Sequence, residues 1–276
     1  MTVVKQLTEL IRRTTSSLPG DVVSALKKSY RKESPSSSAR VVLSTILENC
    51  ALAERESTPL CQDTGTLTFY VDESLRRKVT QKALYKAVAA ATELGYLRRN
   101  SIDSVTGRSN DDNCAPGSVV IYYKKTKGVT LVMKGGGSEN MSRQYSLPDQ
   151  TLGAGRDLQG VRKCLLDAVQ RIQGFGCAPG ILGVCVGGDR ATGFEVAKEQ
   201  LLRPLDEPKR GDAALRKLEA QLLKEANSLG IGPMGLGGKT TLLGVKIAAR
   251  TRVPASFFVT VAYMCWACRR RSMTVK

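Results

Sequence analysis

Cysteine is the residue type in this chain best suited to chemistry at a fixed point. Eight are present: Cys50, Cys61, Cys114, Cys164, Cys177, Cys185, Cys265 and Cys268. Cys50, Cys164 and Cys185 sit in apolar periodic runs and read as small buried hydrophobes. Cys61, Cys177 and Cys265 differ. They lie with Gly, Pro or Trp at the ends of elements, in P-L-C-Q-D-T-G (59–65), G-F-G-C-A-P-G (174–180) and Y-M-C-W-A (263–267). A thiolate in such a place can ligate a soft metal centre or exchange electrons. Cys265 and Cys268 also form a C-x-x-C, the spacing of a redox pair or of half a zinc site. Zinc lacks a second such pair and the chain has no histidine, whereas a redox pair needs no further ligand. Ferredoxin-type clusters draw on a compact run of cysteines. These three are dispersed, so spacing alone selects no cofactor.

The absence of histidine has wider consequences. It removes Ser-His-Asp and Cys-His nucleophile pairs, histidine-ligated zinc and imidazole proton shuttles. Acid–base work falls to Asp, Glu, Lys, Tyr, Cys or a partner chain. With 276 residues, 42% of them apolar, a sizeable core is available. No apolar run reaches the roughly 18 residues a membrane span needs. The start, Met1 to Lys5, lacks the apolar segment of a secretory signal, so cytoplasm is the expected compartment and disulfides are not expected. A net charge of +17 attracts anions, whether small carboxylates or nucleic acid. Lys239 to Lys276 holds eight basic residues and no acidic one. Aromatic residues do not interleave with them, so a stacking platform for single strands is poorly supported and nucleic acid is not the expected partner.

The elements that must position the cysteines follow from pattern. Apolar periodicity predicts helices over 3–14, 21–32 and 41–54, the last with Val42, Ile46 and Leu52 on or near one face. Residues 1–54 form an N-terminal helical layer without chemistry of its own. A strand over 67–71 follows the first cysteine turn, then a helix over 79–94. Residues 97–117 have little periodicity and are too long for an ordinary connection. The runs 118–123 and 128–133 predict a hairpin, leading into Gly135-Gly136-Gly137. Three glycines permit positive φ and a convergence of N–H groups on an anion. Further helices are expected over 157–172, 195–202 and 213–229, and strands over 181–186, 242–247 and 256–262. The glycine-rich run 230–241 invites a phosphate-loop reading, but Pro233 stands where that motif needs glycine. An anion-binding backbone is what remains of it. The expected fold class is α/β, with mixed sheets flanked by helices.

Four phrases now carry a resemblance: P-L-C-Q-D-T-G (59–65), K-G-G-G-S-E-N-M-S (134–142), G-I-G-P-M-G-L-G-G-K-T-T (230–241) and P-A-S-F-F-V-T-V-A-Y-M-C-W-A (254–267). Taken in this order, they resemble the class I, iron–sulfur-dependent fumarate hydratases in their α subunit or N-terminal half. Tartrate dehydratase α subunits share C-Q-D-T-G but depart from the S-E-N and G-G-K-T-T wording, which favours fumarate. The resemblance implies that 1–276 is one α-type hydro-lyase catalytic domain. It implies a 4Fe–4S cluster on Cys61, Cys177 and Cys265, with one iron open as a Lewis acid. It implies substrate contacts from Gln62, Asp63, Arg98, Gly135, Gly136 and Gly137, and a bidentate guanidinium at Arg98 suits a carboxylate. Lys239 is a weaker candidate.

The family's catalytic base, a threonine, lies in the C-terminal half or β subunit. This chain alone is therefore expected to be inactive. It is expected to pair with a β chain across the cluster, as a dimer of heterodimers acting on a small dicarboxylate in the tricarboxylic acid cycle. The implied reaction is reversible hydration of fumarate to malate. The alternatives are a tartrate dehydratase α subunit and a non-catalytic basic iron–sulfur protein that binds nucleic acid. Two stretches, 248–253 and 112–117, depart from the family wording where histidine is usual. A catalytically weakened paralogue is the reading those departures raise.

Overall fold

The apolar spacing at the start of the chain produces helices α1 (Val3–Ser16), α2 (Gly20–Lys32) and α3 (Ser38–Glu56). This is a computed structural model, and it describes residues 1–207 and 211–275. Thr2 caps α1 by accepting the Lys5 N–H at 3.3 Å. The buried side of α3 is Leu43, Ile46, Cys50 and Ala53, while Leu52 is exposed. The face expected from Val42 and Leu52 is thus rotated, because Ala53 and Cys50 are small enough to pack closely where Leu52 is not required.

Strand β1 (Thr66–Asp72) and helix α4 (Gln81–Glu93) come next. Two short strands, β2 (Ser101–Ile102) and β3 (Ser109–Asn110), pair within the irregular stretch. β4 (Val119–Lys124), β5 (Val129–Lys134), the one-turn helix α5 (Gly136–Asn140) and β6 (Arg143–Ser146) follow. The chain continues through α6 (Leu158–Ile172), β7 (Gly180–Gly187), α7 (Arg190–Gln200) and α8 (Ala213–Ser228). It closes with β8 (Leu242–Arg250), β9 (Phe258–Met264) and β10 (Arg269–Met273). No helix among the described residues is long and apolar enough to cross a membrane.

These elements gather into two compact units. Unit 1 takes Met1–Pro19, Ile46–Gly136 and the chain from Ala267 onward. Unit 2 takes Gly20–Thr45 and Gly137–Trp266. The N-terminal helical region is present, but it serves both: α1 packs on α4 in unit 1, and α2 packs on β8 in unit 2.

Unit 1 holds a four-stranded sheet in the order β10-β5-β1-β4. β1 is parallel to β4 and antiparallel to β5. The expected hairpin between β4 and β5 does not form, since β1 lies between them. The reason is burial. Phe69, Tyr70 and Val71 are consecutively buried, and a strand covered on both faces needs partners on both edges. Leu7, Leu10 and Ile11 of α1, Leu84 and Val88 of α4, and Leu131 and Met133 of β5 complete the core.

Unit 2 holds a second sheet in the order β6-β9-β7-β8, with β7 parallel to β8 and antiparallel to β9. β7, Gly-Ile-Leu-Gly-Val-Cys-Val-Gly, is buried along its whole length and is central. Leu182, Val184 and Val186 pack with α6 and α8. Gly183 alternates to the other face, where a Cβ would come within 2.2 Å of the Ala197 carbonyl of α7. Helices on both faces of this sheet, and α1 and α4 together on one face of the first, give the α/β class. Helix α7 starts at Arg190, ahead of the expected 195. Asp189 accepts the Ala191 and Thr192 N–H groups at 2.8 and 3.0 Å, and a reciprocal Thr192 bond completes a capping box.

Candidate functional site

Burial sorts the cysteines. All eight are free; Cys50, Cys164, Cys185 and Cys268 are buried, Cys61, Cys114 and Cys265 are half-buried, and Cys177 is exposed. Burial pushes the thiols of Cys50 and Cys185 up to about 11 and that of Cys164 up to about 12. Cys114 is also pushed up to about 11, first by burial and then by the charge of Asp112. These are poor thiolates. Cys268 is fully enclosed, so the C-x-x-C presents one accessible sulfur and not two. The accessible sulfurs that remain are Cys61, Cys177 and Cys265.

Unit 1 brings Cys61, Gln62, Asp63, Arg98, Gly135 and Gly136 into one unit. The turn before β1 is tied down at each end. The Leu60 N–H donates to the Thr15 carbonyl (2.9 Å), and the Leu60 carbonyl accepts from Asn49 Nδ2 (3.0 Å). Gly65 has φ +70, and a Cβ there would meet the Lys134 carbonyl oxygen at 2.2 Å. Between these anchors, Thr64 Oγ1 exchanges bonds with the backbone of Arg98, both at 3.0 Å. Arg98 Nη1 donates to the Gln62 carbonyl (3.1 Å), and Arg269 Nη2 donates to the Asp63 carbonyl (2.7 Å). Asn113 fixes the Arg98 segment. It is 2% exposed, has φ +59, and donates from Nδ2 to the Arg98 carbonyl (2.8 Å) and to Thr92 Oγ1 (3.1 Å).

The triple glycine works differently from expectation. None of Gly135, Gly136 and Gly137 has positive φ, and Gly136 and Gly137 open the helical turn α5. Their virtue is closeness. A Cβ on Gly135 would lie 2.6 Å from Asp63 Oδ2, so only glycine lets that carboxylate lie against the strand end.

Unit 2 brings Cys177 and Cys265 together with Gly137. The Trp266 N–H donates to the Cys177 carbonyl at 3.3 Å, which joins the two cysteine turns. The Cys265 N–H donates to Ser138 Oγ at 3.1 Å, so the serine of S-E-N holds the second turn. Cys177 has φ +52, a conformation that non-glycine residues rarely adopt. Beneath it lies Tyr263: a Cβ on Gly176 would meet the ring at 2.4 Å, and one on Gly180 would meet the hydroxyl at 2.2 Å. The Tyr263 hydroxyl is buried without a hydrogen-bond partner. Its pKa is held well above the phenol range by burial, then by the neighbouring Cys265 and Cys177.

The glycine-rich run 230–241 braces this turn. The Met234 N–H donates to the Ala178 carbonyl (2.9 Å), and Gly235 touches Gly174. The Gly237 N–H turns inward to the Ile231 carbonyl (2.9 Å). The Lys239 N–H meets both oxygens of Glu33, at 2.9 and 3.0 Å, and Lys239 Nζ donates to the Lys32 carbonyl. An internal carboxylate thus occupies the Lys239 N–H, while the exposed Lys239 ammonium rests on the Lys32 carbonyl.

A cavity of about 620 Å³ between α8 and β8 is lined by Arg203, Glu207, Glu219 and Lys246. These four pair with one another, Arg203–Glu207 at 2.6 Å, Lys246–Glu207 at 2.9 Å and Arg203–Glu219 at 3.1 Å, and Arg216 and Lys217 also line the space. Lys246, Arg269 and Arg270 are buried, so the basic C-terminal stretch is less of a surface patch than its sequence implies. Lys276 lies outside the described residues.

Sequence reasoning missed Asn113, Ser138, Tyr263 and Arg269. Ser138 lay inside a motif and Asn113 inside a turn-rich stretch, and both were legible as polar residues near candidates. A fully enclosed arginine leaves no such trace. The donor chemistry of the three accessible thiols suits a soft, sulfur-bridged iron centre. Among the described residues, no three Cys, Asp or Glu side chains gather closely enough to hold a single metal ion.

Comparison with known proteins bears on what such a site serves. A family model described as fumarate hydratase (Fumerase) matches residues 4–274. A Geobacillus stearothermophilus protein named as a class I fumarate hydratase is 46% identical over 271 residues, covering 95% of this chain and 52% of that protein. A Methanocaldococcus jannaschii protein named as L(+)-tartrate dehydratase subunit alpha is 33% identical, covering 97% of this chain and 95% of that protein. The L(+)-tartrate dehydratase subunit alpha of Escherichia coli K12 is 29% identical, covering 99% and 91%. The chain spans about half the length of the first relative and nearly the whole of the other two.

Proposed function

This chain belongs to the fumarate hydratase (Fumerase) family, and from that premise we propose that it is the α-type part of an iron–sulfur hydro-lyase interconverting fumarate and malate. The observation that carries the reading is the sorting of the cysteines. Those in the three candidate turns are accessible, while the others are buried or pushed to high pKa. In this reading Cys61, Cys177 and Cys265 hold a 4Fe–4S cluster, which when bound supplies one iron without a cysteine as a Lewis acid.

The chain's own residues bind and orient the dicarboxylate. Arg98 is exposed and gives one nitrogen to the Gln62 carbonyl, leaving further N–H donors for a substrate carboxylate. Gln62 and Asp63 stand on a turn whose carbonyls are both bonded, so the backbone that carries their side chains has little freedom to lose on binding. Gly135 and Gly136 keep the approach to Asp63 free of side chains, and Gly137 continues the same turn. The net charge of +17 draws dianionic substrate from solution.

A β chain, or a C-terminal half, supplies the group that removes the proton next to the carboxylate. Two relatives are named as alpha subunits and a third is about twice as long, which supports such a partner. Phe175, Met234 and Leu236 are exposed around the Cys177 turn and offer that partner an apolar rim. On this reading the chain is cytoplasmic, is inactive alone and assembles as a dimer of heterodimers.

Fumarate is favoured over tartrate by 46% against 33% identity. The near whole-length match to the alpha subunits named for tartrate keeps tartrate as the second reading. The test is anaerobic reconstitution with and without a β chain. Fumarate hydration is expected only with both chains, and turnover of tartrate alone would shift the assignment. Visible charge-transfer absorption is expected to vanish in Cys61→Ser; absorption retained in that variant would remove Cys61 as a ligand.

A further inference from the structure

We infer that Arg269 is a positioning residue for the Gln62–Asp63 dipeptide, an inference that rests on the assignment of that dipeptide to substrate binding. Arg269 opens β10, opposite Met133 of β5, and is 2% exposed. Its Nη2 donates to the Asp63 carbonyl at 2.7 Å. Its Nε and Nη1 are buried and have no hydrogen-bond partner.

Such a group is costly to enclose. A guanidinium keeps its charge at any working pH, and buried donors are almost always paired. An apolar residue of similar volume in its place is often neutral or stabilising. Stability given up in this way is common where function sets the requirement. The one side-chain bond that Arg269 makes among the described residues identifies the requirement. The preceding carbonyl, that of Gln62, is held by Arg98 Nη1 at 3.1 Å. Two guanidinium groups therefore fix two successive carbonyls, and with them the backbone from which the Gln62 and Asp63 side chains project. Arg98 is exposed and free to touch substrate as well. Arg269 is enclosed and acts only through the turn.

The test compares full-length Arg269→Met and Arg269→Lys with the parent chain. Arg269→Met is expected to melt no lower than the parent. Hydrogen exchange at amides 62–65 is expected to rise by about tenfold or more. With a β chain present, kcat/KM for fumarate is expected to fall on the order of 100-fold, the effect of a misplaced binding group. Arg269→Lys keeps one donor and is expected to recover most of the protection. Unchanged exchange at 62–65, failure of Arg269→Met to fold, or no recovery by lysine would each overturn the inference. If the parent pair shows no fumarate turnover, the functional assignment fails, while the exchange measurement still decides the role of Arg269.

Discussion

Thiol chemistry divides the eight cysteines more sharply than their sequence contexts do. Cys114 is half-buried, as Cys61 and Cys265 are, yet burial and Asp112 raise its pKa to about 11. At pH 8 a thiol of pKa near 11 is about one part in a thousand thiolate. In cluster-free protein at pH 8, iodoacetamide is expected to modify Cys61, Cys177 and Cys265 first. Cys50, Cys114, Cys164 and Cys185 are expected to lag, since little of their thiolate is present at that pH. Raising the pH toward 11 should narrow the gap as their thiolates form. Mass-spectrometric mapping of the adducts decides the matter, and early labelling of Cys114 would contradict it. Context alone separated Cys50, Cys164 and Cys185 as buried. It left Cys114 and Cys268 unsorted, because enclosure there comes from packing that neighbouring letters do not encode.

At the scale of elements, two glycines of the candidate site should respond oppositely to the same change. Gly65→Ala forces an alanine to φ +70 and drives its Cβ against the Lys134 carbonyl, with an expected cost of about 3 kcal/mol. Gly137 has an ordinary φ, lies in a helical turn and has open space around its Cα. Gly137→Ala is expected to change stability by less than about 1 kcal/mol, in the stabilising direction. Urea unfolding of both variants checks the contrast. Periodicity made α1, α2, α4, α6 and α8 legible, and turn residues marked the Cys61 and Cys177 segments. The β4–β5 pairing was misjudged because a strand inserted from earlier in the chain leaves no local sign. β6 (Arg-Gln-Tyr-Ser) and β10 (Arg-Arg-Arg-Ser-Met) were missed because neither alternates apolar and polar residues. Their strand form comes from β9 and β5, whose edges they cover.

For the molecule as a whole, acid should be the sensitive direction. Hydrogen bonds from Arg12 to Glu9 and from Arg162 to Glu225 hold both carboxyls below their usual value of 4.5. A depressed carboxyl pKa contributes stability above the unfolded value, and that contribution is lost as pH falls through the folded value. Protonation also leaves the 42 Lys and Arg less opposed. The melting temperature is expected to be nearly level from pH 8 to about 5.5 and to drop below about 4.5, with a smaller drop in Glu225→Gln. A melting temperature that holds to pH 3 would contradict this. The interleaving of the two units has a separate consequence, for synthesis. β10 comes from beyond Gly137–Trp266, so β5 waits for its outer neighbour while all of that segment is translated. Until then the nascent chain carries an open edge of Val-Thr-Leu-Val-Met, the kind of template on which other chains aggregate. Slower synthesis or a holding chaperone should therefore raise the soluble yield, and a cut anywhere within 137–266 should strand β5 without its cover.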